Sequence, residues 1–431
     1  MKNIKFKKLR ALMAILLAVG LAVSVYARNK FAGEFLPCEN PVSDTRYTDN
    51  SPDKNREENR AGNISAVWIN YYEFGELIKN KNKEEYAAAV EETVANVKNA
   101  GLNAIFLHVR SHADAFYRSE VFPWSYYIYG HQGQGPDFDP LEIFINIAHS
   151  SEVQIHAWVN PYRVLSGSTS ADMLSENNPV YGILKNDDTQ DDSRVFVSGG
   201  GLYLNPADEQ NRRLVTDGIK EIIDKYEVDG IHFDDYFYPT TDSAVDAAEY
   251  SLYCEGADNP LDLASWRRAQ VDLLVSAVNK AVKSAARPII FGISPQANID
   301  KDRDELFADV EKWAKGGYVD YICPQIYFGF DYPKDEFKFT SLLQRWESIV
   351  SDDVALYIGL GPYKLGLTDA GSDEWVNSRD LIKRQAEYVD ENTKAGGIVL
   401  YNYSSFFSLS EQNTAEREAL SGFLNSGAFS D

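Results

Sequence analysis

Cysteine and histidine are scarce in this chain. Three cysteines and six histidines occur among 431 residues, and the sequence contains no CxxC, HxH or HExxH spacing. Three cysteines are too few for a disulfide framework, and the missing spacings are those that mark common zinc sites. The sequence therefore predicts a fold that is stabilised by a hydrophobic core and that needs no metal and no cofactor.

Positive charge is also in short supply. The chain has 42 Lys and Arg residues against 65 Asp and Glu residues, so its net charge is −23. A surface of that sign repels nucleic acid and anionic lipid headgroups. We therefore expect no nucleic-acid partner, and a neutral or amino-sugar substrate is compatible with the charge.

Long hydrophobic runs are absent except at the start of the chain. Residues 1–27 combine a basic segment, an apolar run and the small-residue exit Val25-Tyr26-Ala27, which is the pattern of a secretory signal peptide cut after Ala27. An uncleaved membrane anchor is the alternative, because the apolar run is long for a signal peptide and short for a bilayer span. Both readings predict a secreted or cell-envelope protein with no other membrane insertion.

Residues 28–60 are polar, rich in Asn, Asp and Pro, and show no apolar period, which predicts a flexible lead-in. From residue 61 to residue 431, short β-branched or aromatic runs alternate eight times with helical patterns such as Lys83–Asn99 and Asp304–Lys315. Eight such units predict a single (β/α)8 TIM barrel. The predicted strands are Ser65–Tyr71, Asn103–Arg110, Gln154–Asn160, Gly230–Asp235, Pro288–Ser294, Tyr318–Tyr327, Ala355–Gly361 and Gly397–Tyr403.

Polar side chains gather where the predicted strands end. Residues two apart on a strand share a face, and active sites of (β/α)8 barrels lie at the carboxyl ends of the strands. Each polar residue taken alone could instead fill the barrel interior. We expect one pocket that contains Arg110, Asn160, His232, Asp234, Gln325 and Tyr327.

The loop after the second predicted strand is rich in aromatic residues. Residues 116–130 include Phe116, Tyr117, Phe122, Trp124, Tyr126, Tyr127 and Tyr129. Aromatic faces offer large contact areas at low entropy cost and suit the apolar faces of sugar rings. The alternative is a satellite hydrophobic cluster beneath a long loop. We expect Trp124 to contact a sugar substrate.

Four segments carry longer motifs: HAWVNPYR at residues 156–163, YLNP at 203–206, VDGIHFDDYFYP at 228–239 and PQIY at 324–327. Together they resemble the glycosyl hydrolase-like 10 family, formerly domain of unknown function 187. The resemblance implies a bacterial, exported glycosidase on a (β/α)8 barrel, and some family members cut peptidoglycan glycan strands that have lost their stem peptides. The sequence departs from the family in the segments Ser111–Asp114 and Ser294–Ile299, which puts substrate preference in doubt.

Candidate substrate contacts come from the same motifs and strand ends. We expect Arg110, Asn160, Arg163, Gln325 and Tyr327 to hold hydroxyl or acetamido groups, and Tyr401 to orient a carboxylate. Further expected contacts are His156, Tyr162, Asn205, Tyr236 and Ser294.

Glycoside hydrolysis usually needs two carboxyl groups that flank the scissile bond. The candidate catalytic residues are Asp234, Asp235 and His232. Asp234 shares a strand face with His232 and is our candidate for nucleophile or electrostatic stabiliser. Its neighbour Asp235 should point a different way, and it either supports Asp234 from behind or reorients where the strand ends. The alternative is that the two aspartates cap the following loop. The seventh predicted strand ends without a carboxylate, so the general acid must lie elsewhere. The candidates for it are Asp300, Asp302 and Asp331.

Two other functions remain open at this point. A barrel that binds carbohydrate without cleaving it is the first, since a fold alone does not confer activity. A metal-dependent hydrolase with His108, His156 and His232 as ligands is the second and the less favoured, because no metal-binding motif occurs.

Overall fold

The structure is a computed structural model that describes residues 61–188 and 191–429. The predicted signal peptide and lead-in, residues 1–60, lie outside the described residues. No helix within the described ranges is both long enough and apolar enough to cross a membrane.

Nine short parallel strands of the described chain form one sheet that curls into a barrel. Around the barrel they follow the order β10-β9-β8-β7-β3-β2-β1-β12-β11. Strands β10 and β11 are two parts of one segment separated by Tyr357, and β10 pairs with β9 while β11 pairs with β12. This segment closes the ring, so the predicted (β/α)8 barrel is confirmed. The strands are β1 Ile64–Ile69, β2 Ala104–Arg110, β3 Gln154–Val159, β4 Arg163–Leu165, β5 Val195–Ser198, β6 Gly201–Leu204, β7 Gly230–Phe233, β8 Ile290–Ile293, β9 Tyr321–Ile322, β10 Ala355–Leu356, β11 Ile358–Leu360 and β12 Gly397–Leu400.

Helices surround this barrel. The predicted helix Lys83–Asn99 is present with those bounds, but the predicted helix Asp304–Lys315 is wrong: the chain forms Ile299–Glu305, breaks at Phe307 with a positive φ of 53°, and resumes as Val310–Gly316. The α-helices are Tyr71–Ile78, Lys83–Asn99, Tyr126–Tyr129, Pro140–Ser150, Pro179–Lys185, Glu209–Lys225, Ala247–Gly256, Leu263–Lys283, Ile299–Glu305, Val310–Gly316, Phe339–Ile349, Glu374–Asn377, Leu381–Asn392, Tyr403–Phe406 and Glu411–Leu424, and short 3-10 helices occur at Ala171–Met173, Asp192–Arg194, Asp335–Phe337 and Pro362–Lys364.

A small antiparallel sheet lies in the connection between β3 and β7. Its strand order is β4-β6-β5, and Arg163 of β4 pairs with Tyr203 of β6. Sequence analysis missed it because strands of three or four residues are too short to show an alternating pattern. This sheet places Arg163 beside the carboxyl end of the barrel.

Two hydrophobic layers hold the barrel together. The outer layer, between strands and helices, contains the alternate strand residues Ile105, Leu107, Ile155, Ala157, Ile231 and Phe233. The inner layer, on the barrel axis, contains Trp68, Phe106, Trp158, Tyr321, Tyr357 and Val399. The predicted alternation of side chains between the two faces is therefore confirmed in β2 as far as Leu107, in β3 as far as Val159 and in β7 as far as Phe233.

Two glycines make room for large rings inside the barrel. A Cβ atom on Gly230 would lie 2.6 Å from His156 Nδ1, and a Cβ atom on Gly292 would lie 2.2 Å from the ring of Tyr321. Both distances are too short for a side chain. Glycine at these positions lets the His156 and Tyr321 rings meet across the axis.

Candidate active site

Asp234 directly follows β7 at the carboxyl end of the barrel. Trp158 Nε1 donates to its Oδ2 at 3.1 Å, and Asn160 Nδ2 lies 3.1 and 3.2 Å from the two carboxylate oxygens. The backbone N–H of Tyr236 lies 3.4 Å from Oδ1. Asp234 is only 3% exposed, so neighbouring donors replace water around a buried carboxylate.

Burial controls the acidity of Asp234. The pKa of this carboxyl is raised from 3.8 to about 6, mainly by burial and also by the charge of Asp235. The charge of Arg163 and the hydrogen bonds from Asn160 and Trp158 act in the opposite direction. Asp234 therefore changes charge near neutral pH, where an ordinary aspartate would be fully ionised.

Asp235 is the second buried carboxyl of this pocket. Burial raises its pKa, while hydrogen bonds from Gln296 and Gln325 and the charge of Arg163 oppose the rise. Gln325 Nε2 also donates to the carbonyl of Ser294 at 2.9 Å, which fixes the amide above β8. Two consecutive carboxyls thus share one pocket, and in weakly acidic solution it can hold a carboxylate and a carboxylic acid side by side.

Arg163 covers the same pocket from β4. Its guanidinium carbon lies 4.5 Å from the ring centroid of Tyr236, and the Tyr236 side chain is 49% exposed. The charge of Arg163 lowers the pKa of both Asp234 and Asp235. A cation and an exposed aromatic face therefore lie next to the two carboxyls.

Tyrosines flank the pocket on two sides. Tyr401 stacks on Tyr327 with a centroid separation of 5.7 Å and meets Tyr363 edge-on at 5.9 Å. Tyr401 interacts electrostatically with Asp234, and Tyr327 with Asp235. These three rings form one wall.

A second group, Tyr71, Tyr72 and Tyr127, has centroid separations of 4.2 to 5.0 Å. Tyr72 is 58% exposed, and the charge of Arg163 reaches Tyr71. Rings of this kind give flat, partly apolar surfaces on which sugars stack.

His232 and His156 form the floor below these groups. Trp68 Nε1 donates to His232 Nε2 at 3.1 Å, so the neutral ring carries its proton on Nδ1 and donates to the hydroxyl of Tyr321 at 3.0 Å. The Tyr321 hydroxyl in turn lies 3.0 Å from His156 Nδ1. Burial lowers the pKa of both histidines, to about 4 for His156. They are neutral and hydrogen-bonded inside the barrel, which corrects the catalytic role expected of His232 and the substrate contact expected of His156.

His108 lies between the pocket and this floor. Its ring stacks on Trp158 at 3.6 Å and meets Tyr71 edge-on at 5.4 Å. Neither ring nitrogen has a hydrogen-bond partner among the described residues, and burial lowers its pKa well below the usual value. No group of three His, Cys, Asp or Glu side chains within residues 61–188 and 191–429 is arranged to hold a metal ion.

Comparison with known proteins assigns the sequence to a family. The glycosyl hydrolase-like 10 family matches residues 63–377. Glycosyl hydrolase YngK of Bacillus subtilis (strain 168) is 32% identical over 376 residues, which cover 81% of this chain and 69% of YngK. The chain belongs to the glycosyl hydrolase-like 10 family. Glycosyl hydrolase DigH of Escherichia coli (strain K12) is 28% identical over 341 residues, which cover 73% of this chain and 74% of DigH.

A solved structure supports the fold of this glycosyl hydrolase-like 10 protein. The glycoside hydrolase domain of PgaB (BpsB) from Bordetella bronchiseptica superposes with a TM-score of 0.55 over 83% of this chain and 98% of that domain, at 12% sequence identity. The resemblance stated from the sequence motifs is confirmed. The protein is a glycoside hydrolase, and its substrate is a carbohydrate.

Arg110 lies outside the pocket, which corrects its expected position. The pairing of β2 with β3 shifts between His108 and Arg110, so that Arg110 lies opposite Val159, a residue of the outer layer. The guanidinium carbon of Arg110 lies 4.5 Å from the ring centroid of Phe122 and is fully buried. The shift of one residue reverses the face on which Arg110 emerges.

Three other expected contacts also serve the scaffold. Tyr162 is buried in the outer layer, and Asn205 donates to the carbonyl of Ser193 at 2.9 Å and accepts from the N–H of Ala207 at 3.0 Å. Trp124 covers Gly135, where a Cβ atom would lie 2.1 Å from the indole. In the aromatic loop, Phe116, Tyr117 and Phe122 are likewise core residues, and they belong to the main core rather than to a satellite cluster.

The three candidates for the general acid separate clearly. Asp300 is exposed and forms an ion pair with Arg345 at 2.7 Å, and Asp331 is exposed on a loop. Asp302 is fully buried, accepts from the N–H of Gln296 at 3.1 Å, and interacts electrostatically with Asp235. Burial raises the pKa of Asp302, but its contacts place it behind Gln296.

Several residues of the pocket were missed in the sequence. Trp158 shares its strand face with His156 and Asn160, so parity alone would have found it. Tyr71 and Tyr72 directly follow Asn70, whose side chain caps helix Tyr71–Ile78. Their position just after the end of the first strand could have indicated that they lie near the pocket. Gln296 lies in the segment Ser294–Ile299, whose departure from the family was the available signal, and its side chain reaches Asp235 from a loop.

Proposed function

We propose that this protein hydrolyses glycosidic bonds with Asp234 and Asp235 as its two working carboxyls. The observation that carries the proposal is the pair of buried, consecutive carboxyls with raised pKa values at the carboxyl end of β7. Perturbed carboxyls of this kind are typical of acid–base catalysis. The charge of Asp235 raises the pKa of Asp234, so the two carboxyls lie close enough to act on one scissile bond.

The surroundings of each carboxyl suggest its role. N–H donors surround both carboxyls in the described pocket, and such donors favour the ionised form. The charge of Arg163 is the largest of the effects that lower the pKa of Asp234 and the smallest of those at Asp235, which favours an ionised Asp234. Asp234 would then stabilise the positive charge that develops at the anomeric carbon, or attack that carbon. Asp235 would give its proton to the glycosidic oxygen as the carbon–oxygen bond breaks.

The proposed substrate is a glycan strand of peptidoglycan from which the stem peptides have been removed. The family resemblance supports this choice, and the exposed rings of Tyr72 and Tyr236 supply surfaces for successive sugars. The proposed signal peptide at residues 1–27 would export the enzyme to the envelope, where such strands occur. Asn160, Gln325, Tyr327 and Tyr401 would contact sugar hydroxyl or acetamido groups.

Product analysis tests the proposal. Wild-type protein is incubated with peptide-stripped glycan strands and, as a control from another class, with an α-linked glucan, and new reducing ends are identified by mass spectrometry. We expect cleavage of the strands alone, with activity that rises as Asp234 ionises near pH 6 and falls at higher pH as Asp235, whose pKa burial also raises, loses its proton. Binding without cleavage would instead indicate a binding protein, and activity abolished by a chelator would indicate a metal-dependent hydrolase.

A further inference from the structure

The guanidinium of Arg163 has no hydrogen-bond or ion-pair partner among the described residues. Its backbone N–H donates to Asn160 Oδ1 at 3.0 Å, which fixes the start of β4 against the residue that holds Asp234. Its side chain forms no hydrogen bond or ion pair with any residue in the ranges 61–188 and 191–429, and its guanidinium lies over the ring of Tyr236. By contrast, Arg267 pairs with Asp246 and Arg194 with Asp208. The guanidinium N–H groups of Arg163 therefore have no partner within the described ranges and are available to a ligand.

The surroundings of Arg163 do not neutralise it by contact. The oxygens of Asp234 are taken by Trp158 and Asn160, and Arg163 forms no ion pair with either carboxyl of the described pocket. His108 and His112 lie near enough to feel its charge, and burial keeps both neutral. The chain has a net charge of −23. Against that background, the Arg163 side chain, which has no ion-pair partner among the described residues, places a positive charge beside the two carboxyls.

A planar guanidinium recognises carboxylate better than any other side chain, because two parallel N–H donors match its two oxygens. We propose that Arg163 binds a carboxylate group carried by the sugar chain next to the scissile bond. This inference rests on the proposed function of the same pocket. The carboxylate has two possible sources, the lactyl ether of an N-acetylmuramic acid or the carboxyl of a uronic acid.

The proposal gives a physical reason for a preference for stripped strands. An attached stem peptide converts the lactyl carboxylate into an amide, which removes the negative charge and one acceptor oxygen. A neutral amide cannot form the charge-assisted pair with Arg163. The same pocket would therefore reject peptide-bearing strands without needing a steric block.

Calorimetric binding tests this inference without requiring turnover. Three oligosaccharides of equal length are compared: one with free lactyl carboxylates, the same one with those carboxylates converted to methyl amides, and one that contains a uronic acid. We expect wild-type protein to bind the free lactyl form at least tenfold more tightly than the amide. Equally tight binding of the uronic acid form would assign the site to carboxylates in general.

Variants of Arg163 complete the experiment. Arg163→Gln should bind the free acid and the amide equally, Arg163→Lys should keep part of the preference, and Arg213→Gln, at an exposed arginine paired with Glu209, should keep all of it. Equal binding of acid and amide by the wild type, or an unchanged preference in Arg163→Gln, would overturn the inference. If the wild type discriminates but cleaves neither strand, the inference stands and the proposed function falls.

Discussion

The unfolding free energy of the Asp234→Asn variant, relative to that of the wild type, should increase as the pH rises. The native carboxyl has a pKa of about 6, against 3.8 for an unperturbed aspartate. Between these values the native state binds more protons than the unfolded state, so this group lowers stability as the pH increases. A difference of about two pKa units corresponds to about 3 kcal/mol, all of it expressed above pH 6.

The Asn side chain does not titrate, and it therefore avoids this cost. It also introduces an N–H group where Trp158 and Asn160 already donate, which costs about 1–3 kcal/mol. That mismatch does not depend on pH. The free energy of unfolding of Asp234→Asn, minus that of the wild type, should therefore increase by about 3 kcal/mol between pH 3.5 and pH 7.

Urea unfolding at several pH values measures this difference. Asp300→Asn is the matched control, because Asp300 is exposed and its pKa is lowered, mainly by its hydrogen bond with Arg345. Its difference from the wild type should change in the opposite direction and by little. If the difference in unfolding free energy between Asp234→Asn and the wild type does not change with pH, Asp234 has an ordinary pKa in the folded protein and the prediction is wrong.

Three further predictions concern the scaffold. Arg110→Met should leave kcat/KM unchanged and should not lower the melting temperature, because the buried guanidinium has no partner for Nε or Nη2 among the described residues and lies outside the pocket. Asp246→Ala should lower the unfolding free energy by about 3–5 kcal/mol, since it leaves Arg267 buried without its partner, whereas Glu209→Ala at an exposed pair should cost less than about 1 kcal/mol. A chain that starts at Ala61 should melt at the same temperature as one that starts at Arg28, and a large drop would show that residues 28–60 pack on the barrel.

The barrel was predictable because its strands are short, apolar and separated by strongly periodic helices. Asp234, Asp235, Asn160 and Gln325 were found because polar residues at strand ends stand out against buried strands. The need for glycine at positions 230 and 292, in contrast, is visible only in the structure, where the His156 and Tyr321 rings occupy the space that a side chain would fill. Local sequence patterns therefore predicted the strands and helices, but not how side chains pack inside the barrel.

The errors have equally specific causes. Arg110 was misplaced because one shift in strand register reverses parity and leaves no trace in the hydrophobic pattern. His232 and His156 lie on the same strand faces as the pocket residues but deeper in the barrel, where they form hydrogen bonds with the Tyr321 hydroxyl. The alternation of faces along a strand does not show how far a residue lies from the pocket. Tyr162 and Asn205 belong to family motifs yet support the loop structure, since a motif can be needed for the fold as well as for chemistry.

Turnover by three aspartate variants tests the assignment of Asp234 and Asp235 as the working carboxyls. Initial rates of glycan-strand cleavage are measured for Asp234→Asn, Asp235→Asn and the surface control Asp300→Asn, each shown by its melting curve to be folded. We expect the first two variants to lose activity by several orders of magnitude while binding persists, and Asp300→Asn to match the wild type. Full activity in Asp234→Asn on any substrate that the wild type cleaves would contradict the assignment of this pocket.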